Sequence, residues 1–148
     1  MTEIVLPQHT NNLGGIFGGV VMSWIDIAAA IASARHSGRT CVTASVDELH
    51  FLQPIKLGDV VNIQATVTCV HTTSCEVMVR VMSEHIESKD KRHTTTAYLT
   101  FVALDSAGRP TPMPKLKTKT QDEKRLEKRA KIRHQARREL KARLEKED

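Results

Sequence analysis

Aromatic residues are scarce in this chain: three Phe, one Tyr and one Trp among 148 residues, 3% of the total. A core must therefore be filled by Ala, Val, Ile, Leu and Met. The apolar fraction of 40% is enough for one domain of ordinary length. Cysteine is sparse too. Cys41, Cys69 and Cys75 are odd in number and form no C-x-x-C pair, which argues against a disulfide scaffold and against a zinc site. The seven histidines are scattered, with no H-x-x-x-H or H-x-H spacing, so no metal is expected. Free thiols, with no charged-then-apolar leader pattern at the start, lead to the expectation of a cytoplasmic protein. One stretch, Ile16 to Ala34, resembles a membrane span. Asp26 stands in its middle and Gly18-Gly19 near its start, and a carboxylate at mid-bilayer is costly. It reads as a buried helix, and no membrane partner is expected.

Positive charge is abundant but localised. The formal net charge is +5. From Asp122 to Asp148 there are eleven Lys+Arg against seven Asp+Glu, a net of +4, which leaves +1 for the rest. The basic end points to an anionic partner.

The patterning gives one order of elements. Residues 2–6 read as a short strand ended by Pro7, and 8–15 as a polar loop. A helix is expected from about Gly18 to His36, stopped by Gly38. It is apolar nearly all round and should be enclosed on most sides. Strand patterns follow at 41–51, 59–70, 76–83 and 93–104, with alternation clearest at Val61, Ile63, Ala65 and Val67. Residues 71–74 read as a turn and 84–91 as a polar loop. Residues 110–118, with three prolines, read as an extended linker, and 121–148 as a solvated charged helix. Two units are expected: a domain over 1–118 and a basic helix over 119–148. Run-together strands with one long helix give an α+β class: an antiparallel sheet wrapped around one central helix. Its open sheet edges and the ends of that helix favour self-association.

Three chemical features coincide between Leu6 and Asp26. A polar loop ends in glycines just where the helix begins, and free N–H groups there suit an anion or developing oxyanion. Asn11 offers both a donor and an acceptor on that loop. Asp26 lies two turns into an apolar helix, where a carboxylate must be paired or wet and often serves as base or nucleophile. Each has a bland alternative. The glycines start a helix or permit close packing, Asn11 closes an Asx turn, and Asp26 bonds to backbone donors.

The segment resembles the opening of the hotdog-fold acyl-CoA thioesterases of the cytosolic acyl-CoA hydrolase group. The matching residues are Pro7, His9-Thr10-Asn11, Gly14, Phe17-Gly18-Gly19 and Ile25-Asp26. Arg35 to Gly38, Cys41 to Phe51, Gly58-Asp59-Val60-Val61 and Thr100-Phe101-Val102-Ala103 continue the likeness, which covers roughly residues 4–115. The resemblance implies thioester hydrolysis. Asp26 would be general base or nucleophile, and Asn11 would orient water or thioester from an opposing subunit. The Gly19 N–H, with Gly18, would form the oxyanion hole. Ala44-Ser45-Val46 and Thr73-Ser74-Cys75 would contact the pantetheine and nucleotide of CoA through strand backbone. Lys131, in Arg129-Ala130-Lys131-Ile132-Arg133, would contact CoA. His9 departs from the Asp of many relatives and stays outside the catalytic set. The resemblance further implies no cofactor beyond CoA itself, with self-association as a dimer or a trimer of dimers. Two other readings stand beside it: a hotdog dehydratase acting on hydroxyacyl thioesters, and a non-catalytic CoA-ester or nucleic-acid binder working through the tail. The tail lacks aromatics for base stacking, which disfavours nucleic acid.

Overall fold

The alternating segments pair into one five-stranded antiparallel sheet, in a computed structural model that describes residues 1–147. In chain order the elements are β1 (Thr2–Ile4), α1 (Gly18–Ser37), β2 (Cys41–Val46), β3 (Val60–Val70), β4 (Ser74–His85), β5 (Asp90–Ala103) and α2 (Gln121–Leu144). The strand order is β1-β3-β4-β5-β2, so β2 is an edge strand and the short β1 is the other. This is the expected α+β sheet around one helix.

Period-two alternation decides the two faces. Cys75, Val77, Val79 and Val81 of β4, with Ala97, Leu99 and Phe101 of β5, turn toward α1 and are fully buried. Val21, Trp24, Ile25, Ala28 and Ala29 of α1 close the same core. Each fully buried Val, Leu, Ile or Phe contributes about 1.5–3 kcal/mol. Gly38 ends α1 in the left-handed conformation, φ 67°, and its N–H bonds the Ala34 carbonyl. The expected enclosure of α1 is not met within one protomer: Met22, Ile27 and Ile31 stay 44–49% exposed. One sheet covers one side of a helix, so an all-round apolar helix needs a second cover.

Three boundaries differ from the sequence pattern. β1 stops at Ile4, short of the expected residue 6. The strand expected at 41–51 ends at Val46. Beyond it the Asp47 N–H still bonds the Tyr98 carbonyl and the Leu52 N–H bonds the Thr94 carbonyl, and the chain between them bows away from β5. The expected loop at 84–91 is a hairpin instead: β4 runs to His85 and β5 starts at Asp90, with only 86–89 between them. Glu84 faces Lys91 across it, and cross-strand opposite charges let a polar ladder continue. Lys89 takes φ 56° at its tip.

Helix α2 starts with a capping box, Thr120 and Glu123 each bonding the other's backbone N–H. It is docked, not solvated all round. Glu76 sits between the inward Cys75 and Val77, so it points to the outer sheet face, where it is 1% exposed. Arg133 donates to it from Nε at 3.1 Å and Nη2 at 2.7 Å, Thr68 Oγ1 at 2.8 Å, and Arg137 at 3.3 Å. The Arg133 guanidinium lies 3.8 Å from the Tyr98 ring centroid. Ala130 is buried beneath the helix. The proline-bearing stretch before α2 is extended and pinned: the Met113 N–H bonds the Thr72 carbonyl, and the Met113 side chain is buried. No helix is long and apolar enough to cross a membrane among the described residues.

Candidate active site

Asp26 emerges from α1 half-buried, at the mouth of an apolar cavity of about 350 Å3. Ile25, Val46, Leu49, Ala97 and Leu99 supply its greasy lining. Thr43, on β2, donates its hydroxyl to Asp26 Oδ1 at 2.6 Å. A register shift between Thr43 and Ser45 leaves Ala44 unpaired, and such a bulge re-aims the side chains beside it. Ala44, Ser45 and Val46 are all exposed on the open edge of the sheet. The carboxylate is thus not sequestered, and it bonds to no backbone donor among the described residues. It has one hydroxyl partner and an apolar chamber beside it.

Asn11 takes the role its alternative reading described. Its Oδ1 accepts from the Leu13 N–H at 2.9 Å and the Gly15 N–H at 3.3 Å, which closes an Asx turn. This also holds the side chain still. Its Nδ2 donates to nothing among the described residues, so a ligand donor remains. The loop itself is laddered to residues 55–57: the Ile16 N–H bonds the Ile55 carbonyl and the Leu57 N–H bonds the Gly14 carbonyl. His9 is engaged elsewhere. Its Nδ1 accepts from the Leu6 N–H, and its ring packs edge-on against Trp24 at 5.2 Å.

At the start of α1, the Val20 and Val21 N–H groups both bond the Phe17 carbonyl. The Gly18 and Gly19 N–H groups precede them and have no backbone acceptor among the described residues. Neither glycine is demanded by the protomer. A Cβ on Gly18 would meet the Phe51 ring at 3.6 Å, and one on Gly19 would meet Phe17 at 3.8 Å, both ordinary contacts.

The remaining expected contacts are dispersed. Thr73 immediately precedes β4, and Ser74 and Cys75 open it, with Ser74 opposite Val102 and Cys75 opposite Phe101. The Cys75 side chain is in the core, and burial pushes its thiol up to about 12. Only its backbone is left to touch a ligand. Lys131 pairs with Glu127 at 3.2 Å over a cleft of about 470 Å3 that Val70, His71, Thr72 and Met113 also line. α1 and α2 cover opposite faces of the sheet, so Asp26 and Lys131 lie on opposite sides of it. Asn11 and Lys131 do not join Asp26 at its cavity within the protomer.

Two elements escaped the sequence reading. Thr43 carried no signal beyond being one polar residue in a strand. The Glu76, Arg133, Arg137 and Asp47 cluster looked like unrelated surface charges.

Comparison with known proteins decides the family. Residues 13–89 match the model of the thioesterase superfamily. The chain belongs to the thioesterase superfamily. This thioesterase chain is 46% identical over 122 residues to the uncharacterized acyl-CoA thioester hydrolase YkhA of Bacillus subtilis, covering 82% of this chain and 71% of that one. Its fold superposes on an apo-hexameric acyl-CoA thioesterase with TM-score 0.92 and 39% identity, covering 96% and 91% of the two chains. An acyl-CoA hydrolase from Staphylococcus aureus, in complex with butyryl coenzyme A, coenzyme A and coenzyme A disulfide, superposes with TM-score 0.90 and 35% identity, covering 99% and 89%. That hydrolase was also solved with alanine in place of an Asn, of an Asp 15 residues further on, and of a Thr 17 residues beyond that.

Proposed function

We propose that the chain hydrolyses acyl-CoA thioesters to a free carboxylic acid and CoA. The observation that carries this reading is Asp26, bonded to Thr43 at the mouth of an apolar chamber sized for an acyl chain. The spacings of 15 and 17 residues among the three positions replaced in the Staphylococcus aureus hydrolase are those between Asn11, Asp26 and Thr43 here.

Asp26 acts as general base or nucleophile on the thioester carbonyl. As a base it takes a proton from water while the water oxygen bonds the carbonyl carbon. The tetrahedral oxyanion is held by the Gly19 N–H, with Gly18, at the α1 N-terminus. When the C–S bond breaks, the proton passes from Asp26 to the thiolate of CoA. No cofactor enters this chemistry. Ala44 to Val46, Thr73 to Cys75 and Lys131 receive the CoA moiety.

Asp26 lies seven positions along the helix from Gly19, roughly 10 Å along the axis. A reacting carbon must sit about 3 Å from both nucleophile and oxyanion donors. The site is therefore completed by a second protomer, whose Asn11 and Gly19 approach this protomer's Asp26. The half-exposed Met22, Ile27 and Ile31 and the open β2 edge supply apolar and backbone surface for such a dimer. A trimer of dimers agrees with the hexameric relative. The three free cysteines suit a cytoplasmic setting. The dehydratase alternative loses support because His9, the histidine on the loop before α1, is occupied by Leu6 and Trp24.

The test is thiol release from acyl-CoA by the wild type and by Asp26→Ala. The variant is expected to lose about 100-fold or more in kcat with its fold and oligomeric mass unchanged. Full activity in the folded variant would overturn the assignment.

A further inference from the structure

The irregular segment between β2 and β3 touches three working parts of the protein within six residues. Asp47 Oδ2 accepts from Arg137 Nη1 of α2 at 2.7 Å. Leu49, with Val46 before it, lines the cavity beside Asp26. The Phe51 ring stands 3.6 Å from where a Cβ on Gly18 would lie, against the start of α1. From Asp47 to Leu52 the backbone is bonded at those two residues alone among the described residues, so its course between those points depends on side-chain contacts. Arg137 is itself held by the buried Glu76, so it presents a fixed guanidinium to Asp47. Lys131 lies six residues back along the same rigid helix, roughly 9 Å away, in the cleft on the outer sheet face.

We propose that Arg137 is a positioning residue: through Asp47 it sets the wall of the acyl cavity, and it couples that wall to binding of the phosphate-bearing end of CoA at the Lys131 cleft. This rests on the thioesterase reading above. An anion at Lys131 stabilises α2 in its docked position, α2 fixes Asp47, and Leu49 and Phe51 then stand correctly against the acyl chain and the start of α1. Chain length and head group are thereby linked: an acyl group long enough to reach Leu49 benefits from the phosphates, and an acetyl group does not.

Asp47→Ala removes the acceptor and breaks this link while leaving Arg137 on Glu76, so α2 stays docked. The assay compares acetyl-CoA, octanoyl-CoA and octanoyl-pantetheine, which lacks the nucleotide phosphates. For octanoyl-CoA the variant is expected to lose about fivefold in kcat, with KM changed less than twofold. For acetyl-CoA and for octanoyl-pantetheine, variant and wild type should match. Asp47→Glu, which retains the charge, should restore most of the octanoyl-CoA rate. An active wild type with equal losses on all three substrates, or with no loss on any, would overturn the coupling alone. A wild type that releases no thiol from any of them would overturn the thioesterase reading and the coupling with it.

Discussion

Thr43 Oγ1 lies 2.6 Å from Asp26 Oδ1, joining an edge strand to the middle of the central helix. The hydroxyl proton is directed at one carboxylate oxygen, and no hydrogen bond engages the other among the described residues. Hydrogen bonds to charged groups contribute about 1.5–3 kcal/mol, and here the bond fixes the rotamer of the proposed base.

Replacing Thr43 by Val keeps the shape and removes the donor. Activity on acyl-CoA should fall about tenfold or more, with the melting temperature nearly unchanged. Thr43→Ser should recover most of the rate. Steady-state thiol release from the two variants checks this, and equal rates for Val and Ser would rule out an orienting role.

Gly19→Ala separates stability from activity. The nearest atom to the new methyl is 3.8 Å away, and Ala is favoured over Gly in helices by about 1 kcal/mol in an interior position. The variant should melt no lower than the wild type. Its kcat should nevertheless drop, because a methyl group obstructs close approach to the amide proposed as oxyanion donor. A stable variant of wild-type kcat would remove Gly19 from the site.

Glu76 anchors α2. Burial pushes its carboxyl up, but hydrogen bonds from Arg133 and Thr68, with the charges of Arg133 and Arg137, outweigh this and hold it below the ordinary value of 4.5. A depressed native value means the contribution is present above 4.5 and is lost as pH falls from there through the native value. Glu76→Gln should therefore be less stable than the wild type at pH 7, by about 3 kcal/mol where a buried pair is broken and by less if the half-exposed arginines rehydrate. The difference should shrink in acid. Urea unfolding at pH 7 and pH 3 measures both.

His71 and His134 stack at 3.8 Å between the β3–β4 turn and α2. Burial lowers the tendency of each to protonate. For His71 the His134 and Arg137 charges add to this, and for His134 the Arg137 and Arg138 charges do. With native values below 6.5, the unfolded chain binds more protons than the folded chain as pH falls under 6.5. Stability is expected to decline as pH falls over that range. His134→Phe, which keeps the stack, should flatten the decline in thermal melts between pH 7.5 and pH 5.5. An unchanged slope would contradict it.

Much of this protein was legible from spacing alone. The 20-residue helix between Phe17 and Gly38 follows from a glycine stop and a mostly apolar run free of proline. The strands β3 to β5 follow from alternation, because a half-buried strand must send every second residue to one face. The opening motif singled out Asn11, Gly18-Gly19 and Asp26, the residues on which the proposed chemistry rests. The sequence misjudged residues 47–51, because Leu49 and Phe51 alternate as a strand would but turn to a cavity and a helix end instead. It also read α2 as free, since a row of arginines on a helix looks the same whether water or Glu76 lies beneath it.

Local rules act over a few residues, so the chain by itself determined where helices and strands form, which face of each strand is apolar, and that a lone carboxylate sits in an apolar helix. Only the tertiary structure decided which residues from distant segments meet: Thr43 with Asp26, 17 positions apart, Arg133 with Glu76, 57 apart, and Arg137 with Asp47, 90 apart. Such pairs leave no periodic mark, because a hydrogen bond depends on the angstroms between two atoms and not on the count of residues between them.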